Sequence, residues 1–238
     1  MAQSFQSAGR TERHAFAGVL LDFDGTIIDS TEAIVENWTR VAAELGLDHR
    51  DILRASHGRR SIDVLKELDP TKANWEYVSA MEARIPLLSS TPAVEIAGAR
   101  RLLEQLNHYS IPHAIVTSGS KALLDAWLSI LQLPQAMKAT TAEDVKIGKP
   151  DPEGYRMAKK KLLQHRSGEG EVLVMEDAPA GIVAGKAAGC KVLAVTTTHT
   201  VQQLKEAGAD WVVRDHRFVD FEAPAGSGDM CLTFHDLL

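Results

Sequence analysis

Five short apolar stretches, at residues 17–21, 113–117, 171–175, 192–195 and 211–213, are separated mostly by segments whose apolar residues recur at helical spacing. Continuous apolar strands that alternate with helices need burial on both faces. A chain written this way is expected to fold as an α/β protein with a parallel sheet covered by helices on each side. The intervening segments agree. Residues 98–107 place Leu102, Leu103 and Leu106 on one face, and residues 121–131 do the same with Leu123, Leu124, Trp127, Leu128 and Leu131. In residues 177–188, Asp177 is placed to cap a helix whose first turn accepts Pro179.

The rhythm breaks between the first and second strands. Ile34, Trp38, Val41, Ala42 and Leu45 form one helical stripe, closed by Gly46. Ile62, Leu65 and Leu68 mark a second helix, stopped at Asp69-Pro70. Trp75, Val78, Met81 and Glu82 mark a third that ends before Pro86. The expected organisation is a Rossmann-like α/β unit of residues 17–30 and 92–238, a small helical domain of residues 31–91 inserted into it, and a flexible arm of residues 1–16. Residues 217–221 and 230–234 alternate around the turn sequence AGSGD, which predicts a terminal hairpin.

Composition narrows the function. A net charge of -6 argues against a nucleic-acid surface, and the run Lys159-Lys160-Lys161 reads as the solvated face of a helix. Cys190 and Cys231 lack metal-ligand spacing, which points to a reducing, cytoplasmic setting. No apolar run reaches the roughly 18 residues of a membrane span. The first 17 residues contain Glu12 and lack an apolar core, so no secretory signal is expected. No interface is legible, and a monomer is expected.

The chemistry is concentrated at the predicted strand ends, where parallel sheets bind ligands. The stretch LLDFDGTIID, residues 20–29, brings Asp22 and Asp24 to one such end. Residues two apart on an extended chain point the same way, so both carboxylates can share one site, and a divalent cation would relieve their repulsion. The second strand ends in Thr117-Ser118-Gly119-Ser120, where hydroxyls and amides before a helix suit a phosphate oxygen. The third ends in Glu176-Asp177, another acidic pair. Between them Gly148-Lys149-Pro150-Asp151-Pro152 presents one lysine from a rigid loop. Two acidic pairs, a Ser/Thr end and a fixed lysine make a phosphoryl-transfer site. Gly181, Gly185 and Gly189 lack any accompanying nucleotide-loop motif, so they read as close helix-to-sheet packing.

In order, DFDGT, VTSGS, GKPDP and EDAPAGI resemble the four motifs of the haloacid dehalogenase superfamily, from about residue 17 to 213. The insert position resembles the superfamily's helical cap type. Residues 56–60 (SHGRR), Asp144-Val145-Lys146 and EDAPAGIVAGKAAGC look like the group of fungal 2-deoxyglucose-6-phosphate and glycerol-3-phosphate phosphatases. Ala97-Gly98 departs from the Pro-Gly of many relatives.

The resemblance implies the roles. Asp22 is the expected nucleophile and Asp24 the acid/base; Mg²⁺ is expected on Asp22, the Asp24 carbonyl, Asp177 and Glu176. Lys149 and the second-motif hydroxyl, Ser118 in preference to Thr117, would balance phosphoryl charge together with the Gly119 amide. His57 and Arg60 would meet the small phosphorylated substrate from the cap. A sugar phosphomutase shares every motif and is the alternative enzyme. A phospho-accepting signalling domain fits less well, since it needs neither the insert nor the second aspartate.

Overall fold

A computed structural model of the chain describes residues 9–56, 58–134, 136, 138–164, 170–222 and 229–238. In chain order the elements begin with β1 (Arg10–Phe16), β2 (Gly18–Leu21) and β3 (Ile28–Asp29). Five helices follow: α1 (Thr31–Leu45), α2 (His49–Ser56), α3 (Ser61–Leu68), α4 (Trp75–Glu82) and α5 (Ile85–Leu88). The chain continues through β4 (Val94–Glu95), α6 (Ala99–His108), β5 (His113–Val116), α7 (Lys121–Leu131) and β6 (Ala139–Thr140). Next come α8 (Glu153–Leu163), β7 (Val172–Glu176), α9 (Pro179–Ala187), β8 (Lys191–Val195), α10 (Val201–Glu206) and β9 (Trp211–Val213). The last strands are β10 (Val219–Glu222) and β11 (Met230–Leu237).

Six strands form one parallel sheet in the order β6-β5-β2-β7-β8-β9. Side chains alternate faces along each strand, and both faces are apolar. Leu20, Val174, Val192 and Val212 enter one core; Val19, Leu21, Met175 and Leu193 enter the other. That is why the strands read as unbroken apolar runs. The order also places the β2 and β7 ends side by side, so the two acidic pairs emerge next to each other. The sixth strand, β6, was not predicted, because two residues carry no period.

The helices α1 to α4 close around their own buried cluster of Trp38, Val41, Ile52, Leu65, Val78 and Met81, while Ile85 of α5 joins the main core. The three predicted helices are present, and α1 ends at Gly46, whose amide bonds the Ala42 and Ala43 carbonyls. Two were missed. One is α2; the other is α5, which carries Pro86 in its first turn and so resumes helix where a stop was expected.

The terminal hairpin pairing is present between β10 and β11, although its turn at 223–228 lies outside the described residues. The expectation of a flexible arm needs correction over residues 10–16. They form β1, which pairs antiparallel with β11 and buries Phe16 completely. The partner strand lies more than two hundred positions along the chain, so no local pattern could announce it. Residues 1–8 lie outside the described residues.

Candidate active site

The first acidic pair is held by a sharp turn. Gly25 follows it with φ +87°, and a Cβ there would lie 2.2 Å from an Asp177 carboxylate oxygen. Glycine therefore serves twice, for the backbone conformation and for the close approach of β2 to β7. The Asp22 carboxylate is buried and takes a short hydrogen bond from Lys149 Nζ. Asp24 accepts from Ser30 Oγ at 2.6 Å.

The second acidic pair divides into two roles. Glu176 Oε1 accepts from Lys149 Nζ at 2.7 Å and from the Tyr155 hydroxyl at 2.8 Å. Its Oε2 accepts from the amides of Asp177 and Ala178 at 3.0 and 3.1 Å. Gly181 makes room for it, since a Cβ there would fall 1.6 Å from Glu176 Oε1. Asp177 is held instead by hydroxyls, Thr26 Oγ1 at 3.1 Å and Thr198 Oγ1 in a short bond.

Asp22, Glu176 and Asp177 offer carboxylate oxygens that all lie within 4.8 Å of one another. Burial pushes the Asp22 carboxyl well up, and the Glu176 charge adds to it. Burial and Glu176 likewise push Asp177 up to about 7. Burial raises Asp24 too, against the pull of Ser30 and Lys149. Lys149 goes the other way: burial disfavours its charge, but Asp22 and Glu176 outweigh it and hold the ammonium protonated. One lysine does not compensate three clustered carboxylates. The donor set, hard oxygens on buried side chains, suits a divalent cation such as Mg²⁺.

The core residues singled out from the sequence meet at one cavity of about 140 Å³, bordered by Asp22, Asp24, Thr117, Ser118, Gly119, Lys149, Glu176 and Asp177. The helical segment supplies the facing wall. At the second strand end, Thr117 is buried and its Oγ1 accepts from the Gly119 amide at 2.9 Å. That amide is therefore already engaged within the turn. Ser118 Oγ reaches the Gly58 carbonyl at 3.2 Å, across the cavity mouth.

Arg60 departs from its expected place. It is 3% exposed and does not border the cavity. Its Nε donates to Asp63 at 2.7 Å, and its terminal nitrogens donate to the carbonyls of Ala142, Val145 and Lys146 at 3.2, 2.7 and 2.9 Å. The guanidinium brackets α3 to the loop before Lys149, so it is not a substrate contact. Its many donors explain the choice, because three carbonyls need a forked cation. His57 lies outside the described residues.

Several side chains at the site were not singled out. Thr198 follows β8 at the strand end, the same position that flagged the other groups. Tyr155 lies on α8, three residues beyond the GKPDP motif; its hydroxyl fixes Glu176, and Lys149 Nζ sits 5.1 Å from its ring centroid. Glu82 is buried on α4, and it accepts from Ser61 and from the Ser120 amide. Burial raises its carboxyl, and the Asp24 charge adds to that.

A parallel sheet whose adjacent strand ends present buried carboxylates, a charged lysine and hydroxyls around one cavity defines a phosphoryl-transfer enzyme of the α/β class. Residues 19–195 match the family model described as haloacid dehalogenase-like hydrolase. The chain belongs to that family. It is 38% identical over 208 residues to glycerol-1-phosphate phosphohydrolase 2 of Saccharomyces cerevisiae, covering 84% of this chain and 82% of the relative. It is 36% identical over 212 residues to 2-deoxyglucose-6-phosphate phosphatase 1 of the same yeast, covering 82% and 86%. Among solved structures, a hydrolase from Pseudomonas syringae superposes with a TM-score of 0.68 at 24% identity, over 84% of this chain and 94% of that one. Among the described residues, no helix is long and apolar enough to cross a membrane.

Proposed function

We propose that the protein is a Mg²⁺-dependent phosphatase of small sugar or polyol monophosphates, and that it works through an aspartyl-phosphate on Asp22. The observation that carries this reading is the placement of Lys149 on both Asp22 and Glu176, beside Asp177 and Asp24 in one buried cavity. The relatives that hydrolyse glycerol-1-phosphate and 2-deoxyglucose-6-phosphate support the substrate class.

Asp22 forms a bond to phosphorus as the bond to the leaving oxygen breaks, and Asp24 gives that oxygen its proton. Burial raises the Asp24 carboxyl above that of an exposed aspartate, the direction that suits a general acid. In the second half Asp24 takes a proton from water, the water oxygen bonds to phosphorus, and the bond to Asp22 breaks to release inorganic phosphate. Lys149 lends positive charge to the phosphoryl oxygens, and Glu176 with Tyr155 holds it in place. Ser118 is the better candidate than Thr117 for the second-motif hydroxyl, because Thr117 Oγ1 is buried and committed to the Gly119 amide.

Asp22, Asp177 and the Asp24 carbonyl would hold the metal. Glu176 stands beside them, with its oxygens already accepting four hydrogen bonds. When bound, Mg²⁺ supplies charge neutralisation for the carboxylates and the phosphoryl group. The helical segment acts as a cap that encloses the substrate, and the free cysteines fit a reducing cytoplasmic setting.

The reading is tested by phosphate release from glycerol phosphate, 2-deoxyglucose-6-phosphate and hexitol phosphates, with and without Mg²⁺, beside Asp22→Asn. Release that needs both the metal and Asp22 is expected. Release that survives in Asp22→Asn at the wild-type rate overturns it.

A further inference from the structure

The wall contributed by the helical segment holds two polar side chains that the chemistry above leaves unused. Asn37, on α1, borders the cavity and is only 8% exposed, yet its Nδ2 is buried without a hydrogen-bond partner. A buried amide without a partner is costly, and the cost is recovered when a ligand oxygen fills the vacant bond. Glu82, at the end of α4, borders the same cavity and is also buried. Its described donors, the Ser61 hydroxyl and the amide and hydroxyl of Ser120, are all neutral. A carboxylate offers about four acceptor sites, so room remains for an incoming O–H.

Each described cation near that wall already has partners. Two basic side chains border the cavity. Lys149 is committed to Asp22 and Glu176, and Arg59 is paired with Glu67. Arg60, the third candidate, spends its donors on Asp63 and three backbone carbonyls.

We propose that Asn37 and Glu82 form the specificity wall of the cavity, admitting an uncharged hydroxylated tail and rejecting a tail that carries a second phosphate or a carboxylate. The inference rests on the phosphatase reading and sharpens it. A hydroxyl can accept from the Asn37 amide and donate to Glu82, so a polyol satisfies both groups. A second anion would lie beside a buried carboxylate, and every described cation that borders the cavity already has a carboxylate partner. The same wall disfavours a mutase, which must hold two phosphates at once when it returns a phosphoryl group to an already phosphorylated sugar.

The test compares kcat/KM for polyol monophosphates with that for the same polyols carrying a second phosphate, in wild type, Glu82→Gln and Asn37→Ala, with Mg²⁺ present. Glutamine keeps the shape of Glu82 and removes its charge; its Oε1 can accept from the Ser120 amide while its Nε2 donates to the Ser61 hydroxyl. It is expected to narrow the preference for the monophosphate by about tenfold or more. Asn37→Ala is expected to raise KM for glycerol phosphate more than it lowers kcat. The loss in kcat/KM should be larger for glycerol phosphate than for ethyl phosphate, whose tail has no hydroxyl. An unchanged preference in a Glu82→Gln protein that melts normally overturns the inference, and so does an equal loss on both substrates in Asn37→Ala. If wild type releases phosphate from no monophosphate, the phosphatase reading fails and takes this inference with it. Activity with an unaltered preference sinks the inference alone.

Discussion

Lys149 lies between Asp22 and Glu176, and this one ammonium has to serve a cluster that also contains Asp177. The surplus negative charge is carried as displaced titration. Asp177, pushed to about 7 by burial and by Glu176, keeps its proton in the folded, metal-free protein where an unfolded aspartate has lost it. Between about pH 4 and pH 7 the folded state thus binds more protons, and this group's contribution to stability is lost as pH rises. His113 and His216, lowered by burial, act in the opposite sense below about pH 6.5, so the test is a difference. Stripped of divalent cations, Asp177→Asn should gain stability relative to wild type as pH rises from about 5 to about 8. A thermal-melt series showing the reverse trend would contradict the assignment. Gly25→Ala should also disable the site, since the added Cβ meets Asp177 and the backbone has positive φ. Metal affinity, read by calorimetry, is expected to drop at least about tenfold. Asp22, Asp24, Lys149 and Asp177 were legible in sequence because short contiguous motifs carry them. Tyr155, Asn37 and Glu82 were not, because each acquires its meaning only from what folding brings opposite it; Thr198 was passed over although it follows a strand end as the others do.

Elements were legible in proportion to their length and period. The strands buried on both faces and the amphipathic helices α1, α6 and α7 stood out as patterns. The two-residue β6 did not, and β1 is defined by a partner from the far end of the chain. Arg60 shows the same limit within one element. The family resemblance implied substrate binding, while its bonds to residues 142, 145 and 146 make it the joint between α3 and the lysine loop. Arg60→Ala leaves those carbonyls short of partners and is expected to cost about 2–4 kcal/mol in denaturant unfolding. Because the loop positions Lys149, kcat should fall as well. Unfolding within about 0.5 kcal/mol of wild type would show that the bracket carries no weight.

The whole molecule places one cavity between a rigid parallel sheet and a helical segment with its own core. Behind β9, the sheet β1-β11-β10 packs Phe16, Phe234 and Trp211 together. Phe16→Ala, remote from the cavity, should cost about 3–5 kcal/mol while leaving KM near wild type. A changed KM with unchanged stability would mean that this sheet serves the site directly.

The most direct test of the account is acid quenching of the enzyme during turnover with Mg²⁺ and a polyol monophosphate, followed by mass analysis of its peptides. The account predicts a phosphoryl group on the peptide containing Asp22, absent from Asp22→Asn. Turnover with no phosphoryl group on that peptide, or with one on another residue, would contradict it.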